Sequence, residues 1–369
     1  MSARRQRQMC IRDSFPTAML SSVVVQKTFS PSMPAEFGGG VVQLRTRGVP
    51  DEPLLKASLS LGYQNGVTFQ DGLTGFDSSQ WDWLGIGAGY RALPAEIIAA
   101  AEEEAIVQGS TLPNSGGYTQ EELEAFGEIM PNRWGLTAAQ TLPNLSTSLV
   151  GGRGFDVGED SRIGGLFGLT FANGWDYETY TTTYYGLAGE DLKLVNQYDF
   201  QDTSNQIRLG GIGELAAELG ENHTLRTTSI LARDTESFAR QYQGVNEDIG
   251  GEIRVQRLRW VERQLFVQQA SGEHDLPEAA GLGVDWRYSY SRAKRLEPDR
   301  RDLLMEPSSE GGWEMRTQGG GNNIFYSELN DTNHDMGLDV SLPFGADEDE
   351  ERAFGGELVV GGGLSLIHI

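Results

Sequence analysis

The chain is almost devoid of cysteine. One residue of that type, Cys10, occurs among 369, close to the N-terminus. A disulfide within the chain is thereby excluded, as is any site built from several thiolates. Histidine is nearly as scarce, and His223, His274 and His334 are widely separated. No spacing of Ser, His and Asp, and no carboxylate pair, suggests catalysis, so no catalytic, cofactor or metal residue is named and no enzyme is expected. No apolar run approaches the ~20 residues of a membrane helix. Basic residues are outnumbered, 29 against 53 acidic, for a formal charge of −24. That balance excludes a general nucleic-acid binder, which carries a basic footprint.

Glycine is what the chain has in excess, 48 of 369 residues, well above the average of roughly 7%. Strict alternation recurs between the glycines. Leu55, Ala57, Leu59, Leu61 and Tyr63 share one face, with Lys56, Ser58, Ser60 and Gly62 on the other. The pattern returns at Ile163–Phe171, Ile207–Leu219, Leu282–Tyr290 and Leu338–Phe344. Weaker runs lie at Leu145–Gly152, Thr224–Ala232, Ile253–Gln269 and Phe354–Val360. Period-two alternation is the signature of strands. The phase slip near Arg257 predicts a bulge. About nine strands are expected, several reaching the ~9–11 residues that a tilted strand needs to cross a bilayer. The fold class is all-β, either an acidic soluble protein or a membrane barrel whose alternation hides its hydrophobicity.

Long and short connections are expected to alternate. The segments 65–141 and 295–335 read as long loops, with medium ones at 175–190 and 243–251. Short turns are expected near 156–160, 220–223, 272–280 and 346–351. Short turns at one end and long loops at the other is the layout of an outer-membrane barrel. Within the first loop, Pro94–Ala105 reads as a helix. Thr119–Phe126 reads as a second, with Thr119 and Glu122 spaced as a capping box. Both are acidic and expected to be exposed.

The termini read differently. Met9–Ser14 and Leu364–Ile369 are what the two complementary strands of one DNA element encode, an element resembling the transposon mosaic end of sequencing libraries. Residues 1–14 and 364–369 are therefore expected to be adapter-derived, and Cys10 with them. Removing them takes away four arginines and one aspartate, moving the charge from −24 to about −27. The remainder is expected to be an internal fragment of a longer protein.

Ser21–Lys27, followed by Pro34-Ala35-Glu36-Phe37-Gly38-Gly39-Gly40-Val41-Val42-Gln43-Leu44-Arg45-Thr46-Arg47, resembles the end of the plug domain of TonB-dependent outer-membrane receptors. Trp81–Gly85, Tyr90–Pro94, Gly272–His274, Asp285–Ala293 and Glu297–Arg301 are similar to barrel segments of that family, in the same order. The resemblance implies a plug tail at 15–49 and the first nine or so strands of a twenty-two-stranded barrel at 54–363. It implies active import of a scarce ligand (a siderophore, cobalamin or an oligosaccharide) across the outer membrane of a Gram-negative bacterium. The partners implied are the TonB complex, acting through a plug region absent here, and outer-membrane lipid. Two rivals remain: another barrel class, a porin or an autotransporter translocator, and a secreted β-rich binding protein or adhesin. A continuous apolar band on the outward residues separates barrel from soluble protein.

Other candidate residues have ordinary readings. Glu102–Glu104, Glu121–Glu122 and Asp347–Glu351 are acidic runs expected to be solvated, since a cation site needs converging oxygens. The three histidines are expected to be structural. Trp81, Trp83, Tyr90, Trp134, Trp313 and Tyr326 fall in the expected outer loops, where aromatics either stack on a ligand or pack the loops. Trp175, Trp260 and Trp286 are expected in the wall or at an interfacial belt. Tyr177–Tyr185 and Gly319–Asn323 read as loop tips.

Overall fold

The structure, a computed structural model, describes residues 20–26, 28, 41–46, 50–75, 78–109, 116–188, 191–317, 321–344 and 356–368. The segment 1–14, the turn at Pro34–Gly40, Gly319, Gly320 and the acidic run Asp347–Glu351 lie outside the described residues. The chain is mostly antiparallel β, with 69% strand and 9% helix. Among the described residues no helix is long and apolar enough to cross a membrane.

β1 (Leu20–Gln26) and β2 (Val41–Thr46) form a hairpin of their own. The main sheet opens with β3 (Leu54–Gly62). An insertion follows, holding a second hairpin of β4 (Asp71–Gly75) and β5 (Leu136–Gln140) and two helices, α1 (Ala95–Glu103) and α2 (Gln120–Ile129). The sheet then continues through β6 (Asn144–Asp156), β7 (Ser161–Ala188), β8 (Asp191–Leu219), β9 (His223–Asn246), β10 (Gly251–Leu276) and β11 (Leu282–Pro307). A short β12 (Trp313–Met315) pairs beside β11, and β13 (Asn323–Phe344) and β14 (Gly356–His368) complete the sheet. Apart from β12, neighbours in the sheet follow chain order. The nine alternating runs fall on nine of its strands, with Tyr63 one residue past β3 and Phe354 and Gly355 outside the described residues. Among the described residues β3 and β14 are opposite edges and do not pair with each other.

Three expectations need correction. The segment 295–335 is not a long loop, because β11 runs on to Pro307 and β13 begins at Asn323. The segments 175–190 and 243–251 are likewise mostly strand, reaching Ala188 and Asn246. In these stretches apolar residues do not keep a period of two, so alternation vanishes while the backbone ladder continues. The bulge near Arg257 is real, but the register between β10 and β11 shifts at Leu258/Glu262 against Leu296/Arg301, with the extra residue on β11. Asp299 there adopts φ 53. Leu364–His368 pair against β13 as part of β14.

The register divides the sheet into two faces. Val150, Leu166, Ile212 and Ala232, all at most 5% exposed, line one face with Leu54, Ile230 and Leu265. This more buried side is termed the inner face, and the opposite side the outer face. Polar groups accompany it. Glu214 faces Arg226 at 3.6 Å, and Asp234 accepts from Gln206 at 2.8 Å and Arg263 at 3.2 Å.

The outer face carries exposed apolar residues: Leu55, Leu59 and Leu61 on β3, Leu149 and Phe155 on β6, and Ile163, Phe167 and Leu169 on β7. Leu215 and Leu219 continue it on β8, Leu225 and Leu231 on β9, and Met336, Leu338 and Leu342 on β13. The band thins at β9 and β10. Ser229 and Thr227 stand there, but both are tied to Gln268, whose amide nitrogen donates to Thr227 Oγ1 at 2.8 Å.

This band runs obliquely to the ladder. The row starting at Leu59 passes Thr147, Phe171 and Leu209, then Arg233, Gln264, Lys294 and Asn330. One row is thus apolar at its start and polar at its end. On β13 the band centres near Leu338, eight residues along from Asn330. The shift is about eight residues over seven strand-to-strand steps. With a rise of ~3.3 Å per residue and ~4.8 Å between strands, the band crosses the strands as if they were tilted by ~38°.

Candidate functional site

The most elaborate junction is where the insertion docks on the outer face of β8–β11, above the apolar band. Locally the insertion is built from backbone-satisfying side chains. Thr141, fully buried, donates its hydroxyl to Val67 O and accepts from Gln70 N at 3.0 Å, tying β5 to the turn before β4. The expected helices are both present. The capping box is formed, with Glu122 N donating to Thr119 Oγ1 and Thr119 N donating to the Glu122 carboxylate. These hydrogen bonds, the backbone one first, hold the Glu122 pKa below its usual range. Tyr118 packs edge-on against Phe126 and donates to Ala100 O at 2.6 Å. Burial first, then Glu103, Glu104 and Glu122, push its phenol pKa up. One expectation is refined: α1 is not wholly exposed, since Ile97 and Ala100 are buried.

The docking contacts are polar. A 3-10 turn at Asp82–Leu84 ends at Gly85, with φ 71. A Cβ at Gly85 would meet Thr235 at 2.8 Å, so only glycine fits. The Gly85 carbonyl accepts from Thr235 Oγ1 at 2.8 Å and from Arg233 Nε at 3.0 Å. Two residues on, Gly87 N and Ala88 N both donate to Glu262 Oε1 at 2.7 Å. Trp260 Nε1 donates to the same oxygen at 2.9 Å, and Arg233 pairs with the other. Glu262 is 4% exposed. A buried carboxylate is tolerable when its lone pairs are filled in this way. Further up β8, Leu73 N donates to Thr203 Oγ1 at 2.8 Å.

Of the expected loop aromatics, Trp83, Tyr90, Trp134, Trp313 and Tyr326 meet protein groups, while Trp81 is 51% exposed. Arg91 lies over Trp260 at 4.2 Å and is held bidentate by Asp82 at 2.9 and 2.7 Å. Arg133 lies over Tyr90 at 4.2 Å, Arg301 over Trp134 at 5.0 Å, and Arg254 over Trp313 at 4.3 Å. Trp83 meets Phe171 edge-on. Tyr326 reaches Asp299, the residue at the bulge. Glu297–Arg301, singled out in the sequence, thus forms the bulge and clamps the insertion: Arg301 donates to Pro131 O at 2.5 Å and to Asp299 at 2.7 Å. Two small cavities of about 70 and 200 Å³ lie along the seam.

The histidines separate into two places. His223 and His274 meet, Nδ1 to Nδ1 at 3.2 Å, and Trp286 Nε1 donates to His274 Nε2 at 3.1 Å. His274 therefore carries its proton on Nδ1 and donates to His223. His334 pairs instead with the Tyr288 hydroxyl at 2.9 Å. Among the described residues no group of three or more His, Cys, Asp or Glu side chains is placed to hold a metal ion.

Sequence reasoning missed an aromatic cluster high on the inner face. Tyr180 stacks on Phe200 at 4.7 Å, Tyr242 lies on Phe200 at 4.6 Å, and Tyr198 meets Tyr242 at 5.3 Å. Arg240 and Asp202 form an ion pair beside it. The tyrosine-rich stretch Tyr177–Tyr185 was the only signal. Comparison with protein-family models, with curated proteins and with solved structures finds no match for this chain.

Proposed function

We propose that the main sheet is part of the wall of a transmembrane β-barrel in a Gram-negative outer membrane. The barrel belongs to a receptor that imports a scarce ligand with the TonB complex as its partner. The observation that carries the reading is the oblique apolar band. Its ~38° slant falls within the ~35–45° strand tilt of membrane barrels. A soluble sheet has no bilayer plane to impose one slant on the apolar outer residues from β3 across to β13. The charged groups of the inner face, Glu214, Arg226, Asp234 and Arg263 among them, suit a hydrated lumen, although an apolar cluster shares that face. The strands also extend unequally from the band. On β7, Ser161 lies about six residues below Phe167 and Ala188 about twenty above it, raising the upper wall well beyond the lipid. The import function rests on the plug-like segment 21–47 and on the other stretches that resemble the receptor family. The Tyr180, Phe200 and Tyr242 rings, high on the inner face, offer a flat surface on which an aryl or sugar cargo would stack.

The test is a quenching map. Bimane is attached to single cysteines in a Cys10→Ser background, and the chain is held in micelles doped with brominated detergent. Positions 59, 169, 215 and 338 are expected to be quenched, with 58, 214 and 228 protected. Equal quenching of both sets sinks the membrane reading and favours the soluble β-rich binding protein.

A further inference from the structure

The larger cavity of the seam, about 200 Å³, has a floor that the register assembles from four adjacent strands. Trp175 on β7 pairs with Asn205 on β8, Asn205 with Ser237 on β9, and Ser237 with Trp260 on β10. These four stand in one row on the outer face, the face on which the insertion docks. Thr203 and Ala239, paired with each other, extend the floor in the next row of that face. Thr74, Asp82 and Trp83 of the insertion form the roof. Trp83 is 59% exposed, so the cavity reaches solvent beside it.

The lining selects by charge, by hydrogen bonding and by size. Among the described residues lining the cavity, Asp82 alone is charged, and Arg91 holds both its oxygens, at 2.9 and 2.7 Å. A neutral ligand is therefore favoured. The Thr74 and Ser237 hydroxyls have no hydrogen-bond partner among the described residues. Asn205 donates through Nδ2 to Asn173 Oδ1 at 2.6 Å and to Gly174 O at 3.2 Å, which leaves its Oδ1 to accept. Trp175 Nε1 is buried without an acceptor. Buried polar groups are nearly always satisfied in folded proteins. An aryl ligand would shut these groups off from water and give nothing in exchange. A ligand bearing several hydroxyls both donates and accepts, while the three indoles offer apolar surface to its ring carbons. At ~10–15 Å³ for each water-sized position, the cavity holds roughly fifteen positions, close to the dozen or so heavy atoms of a hexose.

We propose that this cavity binds one neutral sugar ring, held between the insertion and the outer face of β7–β10. Trp175, Asn205 and Ser237 take it from the sheet, and Thr74 takes it from the insertion. The site is separate from the Tyr180, Phe200 and Tyr242 rings, which the register puts on the opposite face. It is also independent of the membrane reading, since the insertion docks above the apolar band whatever medium that band meets.

The test uses the full chain refolded in lauryldimethylamine oxide micelles, a detergent without a sugar headgroup, with strand content checked by circular dichroism. The methyl glycosides of glucose, galactose and mannose are titrated in turn and followed by tryptophan fluorescence and saturation-transfer NMR. At least one should saturate at one sugar per chain. Its affinity should fall about tenfold or more in Ser237→Leu, which fills the cavity. Thr74→Val should weaken it roughly three- to tenfold, the worth of one hydrogen bond. Arg287→Gln, a distant control, should bind as the parent does. No binding of any of the three at high millimolar concentration, with strand content intact, overturns the proposal. So does binding that survives Ser237→Leu but is lost in Tyr242→Ala, which would put the sugar on the ring cluster instead. If the chain sediments, N-bromosuccinimide oxidation mapped by mass spectrometry makes the comparison. Trp83 and Trp175 should then be protected by the sugar, while Trp81, exposed and outside the cavity, oxidises equally with and without it. Identical oxidation of Trp83 and Trp175 in the two conditions overturns the site.

Discussion

Glu262 is the residue on which the docked insertion depends most. Its two oxygens collect two backbone amides of the insertion, an indole and an arginine, all away from solvent. Removing the carboxylate leaves Arg233 charged, with its main partner gone, and two amides unsatisfied. Breaking a buried pair by deleting one partner costs about 3–5 kcal/mol. Glu262→Ala is therefore expected to detach the insertion while the strand ladder persists. Trypsin cleavage within 86–133 should accelerate by about a hundredfold, and Glu262→Gln should fall between. Unchanged cleavage in Glu262→Ala would show that the other seam contacts suffice. The insertion should also have a pH window. The Glu122 pKa is lowered on folding, so its contribution is present above the ordinary carboxylate pKa and fades as pH falls through the lowered value. The Tyr118 pKa is raised, so the folded form keeps a proton that the unfolded form releases near pH 10, and stability declines above that pH. Hydrogen exchange across 119–130 should quicken several-fold at both extremes. Tyr118→Phe should abolish the alkaline arm only.

At the scale of elements, what could be read in advance was what the apolar band dictates. Leu55–Tyr63, Ile163–Phe171 and Leu338–Phe344 alternate because one side meets a nonpolar medium and the other does not. Above the band that constraint lapses. Thr181–Thr183 on β7 and Gln201–Gln206 on β8 show no period of two, although each continues its ladder for many residues. The upper strands were therefore invisible as strands. The docking seam was hidden for another reason: its bonds join residues far apart in sequence, Gly87 to Glu262 across 175 positions. No local pattern records such a pairing. The capping box of α2, by contrast, is entirely local and was legible. The band itself makes a sharp element-level prediction. Leu215 is 63% exposed on β8. If that face met water, Leu215→Arg would be close to neutral. If it meets lipid near the midplane, the substitution costs about 2–4 kcal/mol. Urea titration in micelles should show that loss for Leu215→Arg. Leu187→Arg, on β7 far above the band, should stay within about 0.5 kcal/mol.

For the whole molecule, the decisive features are the two edges. β3 offers an outer edge over Leu54–Gly62 and β14 another over Gly356–His368, and neither finds a partner among the described residues. In water such edges are tolerable. In hydrocarbon each unsatisfied backbone group costs several kcal/mol. Even a handful per edge therefore exceeds the ~5–15 kcal/mol by which a folded domain is stable. The band asks for lipid while the edges forbid it. Closing the sheet requires strands that continue from β14 round to β3, which the described sheet does not contain. This chain alone is thus expected not to insert into vesicles. In buffer its exposed leucines and open edges should drive it into aggregates. Vesicle flotation followed by electrophoresis with and without boiling reads both points. Protein left at the bottom of the gradient, with one mobility in both lanes, is the expected result. Flotation together with a heat-modifiable band would mean that the edges do find each other, in one copy or between copies.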